Sequence, residues 1–438
     1  MEIVLLGTGA SDGWPNPFCD CASCTWARSA GVVRGQTAAL VDNTLLLDCG
    51  PEAPRAAVRL GRDFIDVRHM LLTHAHSDHI GPNVLEWRRW AHRTEPLDIV
   101  GPPAVIALCR AWTDLDDQSL RWHEVHPGDR LTVGSYDVHV LEANHDVSFG
   151  PPVLYDLTDK DGRRVLWGQD TGPLTDHAIE TMRDAAYDVV FLEETGGDAE
   201  LGGHLNLTTW PLAVAELRRV GAVTDATRLV AIHLGCQNPP LAELSRRLAV
   251  WNAEALPDGA VVDVGEPRDP RRCEPRRVLI LGGARSGKSH EAERRLLAEP
   301  EVTYVATAQS APDDGEWAAR IEKHRARRPA RWRTLETGDL TAVLSGSGPL
   351  LIDCLTLWIS SLVDAGDDIQ SATDALVRAW RDTSAHVVAV SNEVGSGVVP
   401  PSALGREFRD ELGVLNARLA AQADEVWLVT AGIPQRLR

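Results

Sequence analysis

No stretch of the 438 residues reaches 18 consecutive apolar side chains, so no membrane-spanning helix is expected. The first residues, MEIVLLGTGASDG, carry no basic leader and turn glycine-rich after a few apolar positions. They read as a first strand and not a signal peptide, which makes the cytoplasm the expected compartment. Cysteine is scarce: eight residues cannot staple a chain of this length, and clustered thiols without an export signal point to metal binding. Positive charge is in deficit, with 44 Lys and Arg against 63 Asp and Glu. The resulting charge of −19 argues against nucleic acid or an anionic membrane as partner. Internal repeats and low-complexity tracts are absent as well. What remains, 44% apolar and 24% charged, is the composition of a globular chain long enough for two or three domains.

Short apolar runs ending in Gly, Asp, Glu or His recur: EIVLLG, NTLLLDCG, VRHMLLTH, RRVLWGQD, DVVFLEE and RLVAIH. Stretches 81–95 and 208–220 have helical apolar spacing, and 131–145 alternates like one half-buried strand. EPRDPRRCEPRR then breaks the pattern with three prolines and five arginines. A first domain over 1–265, a linker over 266–276 and a second domain over 277–438 are expected. In the second, strands and helices alternate, which predicts a mostly parallel α/β sheet.

Two groups of metal-type residues stand in the first domain. FCDCASC places Cys19, Cys21 and Cys24 in one loop, three of the four ligands a tetrahedral zinc requires. THAHSDH sets His74, His76, Asp78 and His79 in a turn leaving an apolar strand. His145, Asp170 and His233 end other strands, where they can converge at one sheet edge. Imidazole with carboxylate suits zinc, manganese or iron. Isolated histidines such as His69, His92, His123 and His139 read as surface or core residues, and Cys49, Cys109 and Cys354 as small apolar fillers.

The H-x-H-x-D-H motif resembles the metallo-β-lactamase superfamily, which implies an αββα sandwich with two metals. One metal would take His74, His76 and His145, the other Asp78, His79 and His233, with Asp170 bridging. GTGASDGWPNPFCDCASC further resembles the cyclic-phosphodiesterase branch known from phosphonate breakdown. That branch implies a structural zinc on Cys19, Cys21, Cys24 and a residue three positions after the last active-site histidine. Here that residue is Cys236, where the branch has histidine. The same likeness implies a catalytic role for His204, a dinuclear site of zinc or manganese, and a small phosphate-ester substrate. Asp78 counts among the catalytic residues. Acyl esters, thioesters, RNA 3′ ends and a non-catalytic zinc module are the competing expectations.

In the second domain GGARSGKS fits G-x-x-x-x-G-K-S between a strand and a helix. Gly282, Gly283, Ala284, Arg285, Ser286 and Gly287 would form a backbone cradle for phosphate. Lys288 would neutralise it, and Ser289 with Asp353 would hold Mg²⁺ beside GTP or ATP. Across 277–438 the segments VLILGGARSGKS, TYVATAQ, ARIEKHRARRPARWRTLE, LLIDCLTLW, VVAVSNEVGSGVVP and LNARLAAQADEVWLVTAGIP resemble the bifunctional cobinamide kinase / cobinamide-phosphate guanylyltransferase family. The resemblance implies a P-loop, RecA-like domain that phosphorylates adenosylcobinamide and passes GMP to its phosphate through His324. Arg325, Arg327, Arg328, Arg331 and Arg333 would bind the triphosphate, and Glu393 the acceptor or a ribose. Both likenesses imply a homo-oligomer, trimeric for the kinase family and dimeric for the phosphodiesterase branch.

Overall fold

The computed structural model describes residues 1–113, 117–266, 276–307, 325 and 328–438. Two compact units divide the chain, Met1–Pro270 and Arg271–Arg438. Most of the expected linker (267–275) lies outside the described residues, as do His324 and Arg327.

Two seven-stranded sheets face each other in the first unit. One runs in the order Val261–Asp263, Glu2–Gly7, Ala38–Val41, Leu45–Leu47, His69–Leu71, Leu97–Gly101, Leu120–Glu124. The other runs Ala253–Glu254, Arg228–Ile232, Val189–Glu193, Arg164–Gly168, Val153–Asp159, Tyr136–Glu142, Arg130–Val133. Period-2 alternation decides which layer each side chain joins. Ile3 and Leu5 point inward to a core with Val140, Tyr155, Trp167, Phe191 and Val230 of the facing sheet. Val4 and Leu6 point outward, into a second core with residues of the helices Ala53–Arg59, Asn83–Trp90 and Pro103–Ala111. This is the metallo-β-lactamase layering. The stretch 131–145 is not one strand: Gly134, at φ +60, turns it into a hairpin of Arg130–Val133 and Tyr136–Glu142. Alternation on both arms hid the turn, because a two-residue hairpin loop leaves the period nearly intact.

Among its described residues the second unit holds one seven-stranded sheet, parallel except for its last strand. Its order is Arg333–Glu336, Thr303–Ala306, Leu350–Asp353, Val387–Asn392, Arg277–Gly282, Glu425–Thr430, Ile433–Arg436. Helices cover both faces, so its strands are apolar on both sides. Leu279 and Leu281 join one core, and Val278 and Ile280 the other. Leu412, Leu415 and Leu419 of the helix Ala403–Ala420 are fully buried in the first of these.

Candidate functional site

The metal-type residues of the first unit converge where strands of both sheets end. Asp48, His74, Asp170 and His233 each follow a strand by one to three residues, and Glu193 closes another. Asp48, Asp170 and His233 hold left-handed backbone (φ +56, +43 and +57), a strained conformation for non-glycine residues that aims their side chains at the centre. Two groups result: His74, His76, His145 and Asp170, and Asp78, His79, Asp170 and His233, each with ligand atoms within 4.8 Å of one another. Asp170 belongs to both. Its Oδ2 lies 3.4 Å from His74 Nε2, 3.2 Å from His79 Nε2 and 3.6 Å from His145 Nε2. Asp78 Oδ2 lies 3.0 Å from His79 Nε2 and 3.2 Å from His233 Nε2.

A second layer fixes the rings. His145 Nδ1 donates to Gly203 O at 2.8 Å, His74 Nδ1 meets Thr73 Oγ1 at 3.1 Å, and His233 Nδ1 meets Thr195 Oγ1 at 2.8 Å. His79 Nδ1 lies 3.3 Å from Asp48 Oδ2, and Asp48 also accepts from Thr73 and Trp167. His74 Nε2 and His79 Nε2 are buried without hydrogen-bond partners and face the carboxylates. Burial would depress the His79 imidazole, but Asp78, Asp170 and Asp48 hold it well above its ordinary value. Burial would raise Asp78 too, yet His79 and His233 keep it far below the carboxylate range. So dense a set of acceptors and orphaned nitrogens fits a pair of divalent cations.

His204 does not join either group; it stands beside them. Its ring is 4.7 Å from that of His145, and its Nδ1 lies 3.1 Å from Glu193 Oε1. Burial works against a charge on His204, but the hydrogen bond to Glu193 and the charges of Glu193, Asp170 and Asp78 together outweigh it, lifting the imidazole above its ordinary value. Asp48, Thr73, Glu193 and Thr195 went unnoticed in the sequence. Asp48 and Glu193 carried a usable signal: each is an acid closing an apolar run, as Asp170 is.

Cys19, Cys21, Cys24 and Cys236 also meet, with sulfurs within 4.8 Å of one another. Cys21 caps the helix Ala22–Ala30, its sulfur accepting from Cys24 N at 3.3 Å. Burial pushes the Cys24 thiol up to about 11 and that of Cys236 up to about 12. Without a positive charge nearby the Cys24 and Cys236 sulfurs stay protonated; four soft donors at this spacing fit tetrahedral zinc. Cys49 and Cys109 lie elsewhere, buried in the outer core.

In the second unit the loop 282–287 joins the strand Arg277–Gly282 to the helix Lys288–Arg295. Gly287 takes φ +96, and a Cβ at Gly282 would sit 2.6 Å from the backbone Val429 O, so both positions need glycine. Gly283 faces open space. Lys288 Nζ donates to Gly283 O at 3.0 Å, folded back over the loop. Ser289 Oγ lies 3.3 Å from Asp353 Oδ1, and Tyr304 OH donates to Asp353 Oδ2 at 2.9 Å. The Arg328 guanidinium sits 3.7 Å from the Tyr304 ring centroid. Arg325 and Arg333 are exposed, while Arg331 donates to Leu297 O. Glu393 N donates to Gly282 O, and its carboxylate accepts from Gly395 N.

Comparison with known proteins separates the two units. Residues 278–437 match the family described as cobinamide kinase / cobinamide phosphate guanyltransferase, and 43–234 match the beta-lactamase superfamily domain. The bifunctional adenosylcobalamin biosynthesis protein CobU of Salmonella typhimurium is 41% identical over 181 residues, 37% of this chain and 99% of that protein. A ribonuclease Z of Mycolicibacterium gilvum is 31% identical over 190 residues, 40% of this chain and 53% of that protein. The crystal structure of Zn²⁺-bound PqqB from Methylobacterium extorquens covers 60% of this chain and 100% of its own, with a TM-score of 0.50 and 19% identity. That likeness is one of fold.

Proposed function

The chain belongs to the cobinamide kinase / cobinamide phosphate guanyltransferase family, and from that premise we propose that it joins two enzymes. The C-terminal unit phosphorylates adenosylcobinamide and then transfers GMP from GTP to give adenosylcobinamide-GDP. The N-terminal unit is a metal-dependent phosphodiesterase or phosphatase of the phosphonate-type cyclic-phosphodiesterase branch. The observation that carries the second assignment is the complete set of seven converging ligands from His74 to His233.

In the kinase step the backbone of 282–287 cradles the phosphates, Lys288 swings from Gly283 O to neutralise them, and Ser289 with Asp353 takes Mg²⁺. Tyr304 orients that carboxylate. For guanylyl transfer, a nitrogen of His324 attacks the α-phosphorus of GTP and pyrophosphate leaves. The P–N bond then breaks as an oxygen of adenosylcobinamide phosphate takes the GMP and the imidazole is freed. Arg325, Arg327, Arg328, Arg331 and Arg333 offset the charge of the leaving group, and Glu393 contacts the acceptor or a ribose.

For the N-terminal site, two zinc or manganese ions would supply an acidified water and charge to balance the phosphoryl oxygens. His74, His76 and His145 would hold one, Asp78, His79 and His233 the other, and Asp170 both. His204, kept charged by Glu193, gives the proton of its Nε2 to the leaving oxygen. The four thiols hold a separate structural zinc.

The test is turnover of a generic phosphate diester by zinc- or manganese-loaded full chain beside Asp78→Ala. Loss of turnover in the variant is expected. No turnover with metal bound would leave acyl esters, thioesters or a non-catalytic zinc module. The ribonuclease Z likeness favours a second reading, cleavage at an RNA 3′ end, against which the charge of −19 stands. Incubation with GTP and cobinamide should yield a nucleotidylated product; its absence would remove the C-terminal assignment.

A further inference from the structure

The cleft over the metal-type residues has a volume of about 630 Å³, room for a ligand well beyond a bare phosphate. Its floor is polar: His76, Asp78, Asp170, His204 and His233. Its walls are mixed but mainly apolar: Leu108, Trp112, Phe149 and Leu201 line them beside the polar Ser11 and Gln237, with Trp112 52% and Phe149 57% exposed. Leu108 and Trp112 lie four residues apart at the end of the helix Pro103–Ala111, the spacing that puts two side chains on one face. Phe149 packs edge-on against His76 with ring centroids 5.4 Å apart, so the apolar wall begins beside a candidate metal ligand. Bare aromatic rings at the mouth of a polar centre are a surface for stacking.

Charge narrows the choice further. Among the described residues lining the cleft there is no arginine or lysine, and the side chain charged at its rim is Asp12. A substrate with several phosphates would need cations along its track. Metal ions held by the floor residues would balance one phosphate there, and what lies beyond it would meet mainly rings and aliphatic carbons.

We propose that the N-terminal cleft takes an ester of a single phosphate whose organic part is a neutral, flat aromatic group stacked against Trp112 and Phe149. This rests on the phosphoesterase reading above. It sets the substrate apart from RNA and polyphosphates on one side and from bare sugar or alkyl phosphates on the other.

The test compares two diesters, methyl ethyl phosphate and methyl 2-(2-naphthyl)ethyl phosphate, with zinc-loaded full chain. Both release primary alcohols, so they differ in the ring and not in the ester chemistry, and neither resembles a ligand of the nucleotide loop. The naphthyl diester should have a KM about tenfold lower or more, at similar kcat. Trp112→Ala and Phe149→Ala should each raise that KM about fivefold or more relative to the ethyl diester in the same variant, with Trp112→Phe recovering most of it. Quenching of naphthyl fluorescence when zinc-loaded chain binds 2-(2-naphthyl)ethylphosphonate, whose C–P bond is not hydrolysed, should weaken by the same factor, a readout free of turnover. Equal KM values for the two diesters, or no response to either substitution, would overturn the aromatic assignment and leave the phosphoesterase standing. Faster cleavage of a 3′-extended RNA hairpin would overturn it in favour of a polyanion. If neither diester nor RNA is cleaved with metal bound, the phosphoesterase reading falls, and this inference with it.

Discussion

Both units put their reactive groups at the ends of strands, and they build the site by opposite means. In the first, side chains from distant points in the chain converge, and the backbone at Asp48, Asp170 and His233 is strained to aim them. In the second, the loop 282–287 would itself be the receptor, with left-handed backbone at Gly287 and open space beside Gly283. A convergent site is assembled before its ligand arrives, with His74, Asp78, His79, Asp170 and His233 buried at its floor. A loop site waits for the ligand, and Lys288 meanwhile bonds its own backbone. The lesson is that the two should fail differently under mutation: the first through loss of metal, the second through loss of charge on a bound phosphate.

The strongest way to break this contrast is a crossed pair of variants. Asp78→Ala should lower phosphodiester turnover by about a hundredfold or more and leave guanylylation of cobinamide within about twofold. Lys288→Ala should do the reverse, with metal content unchanged by elemental analysis. If either variant silences both activities, the units do not act independently. Next in size is Cys236→Ser. It should release the structural zinc, lower the melting temperature of the N-terminal unit in calorimetry, and spare the second transition. Unchanged zinc content would show that the four thiols do not share an ion.

How much of this could be read from sequence follows from the same contrast. The loop site is contiguous, so GGARSGKS displays every residue of the cradle at once. The convergent site showed its local part, THAHSDH, and gave up His145, Asp170 and His233 because each closes an apolar run. Cys236 came only through the resemblance to the cyclic-phosphodiesterase branch, which places a zinc ligand three positions after the last active-site histidine. Glu193 was not found: it closes an apolar run as Asp170 does, but the run ends in two acids and nothing in the sequence tells which of Glu193 and Glu194 meets the site. Its partners His204 and Leu205 come from a loop eleven and twelve residues on. The wall residues Trp112 and Phe149 were equally silent, since nothing in a sequence tells a half-bare aromatic from a buried one. The hairpin turn at Gly134 was lost to the alternation around it.

Glu193 and Glu194 sharpen the comparison at closer range, as neighbours on one strand end with opposite surroundings. Both are fully buried. Glu193 accepts from Thr171 N, Thr195 N, Thr195 Oγ1, Leu205 N and His204. Glu193→Gln keeps the shape but removes the charge that holds the proton on His204. It should lower kcat for the phosphodiester by about a hundredfold with zinc content unchanged and little change in KM. A variant that loses metal instead would make Glu193 a structural support of the centre.

Glu194 accepts from Gly197 N, and its Oε2 has no hydrogen-bond partner among the described residues. Burial, with the charge of Glu193 beside it, lifts its carboxyl well above the ordinary range. The sign of the consequence is fixed by linkage. Above the ordinary carboxylate pKa of about 4.3 the unfolded chain has released this proton and the folded chain still holds it. Folded protein then binds more protons than unfolded, so this group's contribution to stability falls as pH rises, until the folded pKa is reached. Glu194→Gln has no proton to hold and lacks that slope. Its melting temperature relative to the parent should therefore be higher at pH 8 than at pH 5 by a few degrees, about 1 kcal/mol. The same offset at both pH values would mean that Glu194 is already ionised in the folded state, and that a second buried carboxylate stands beside Glu193 without a proton.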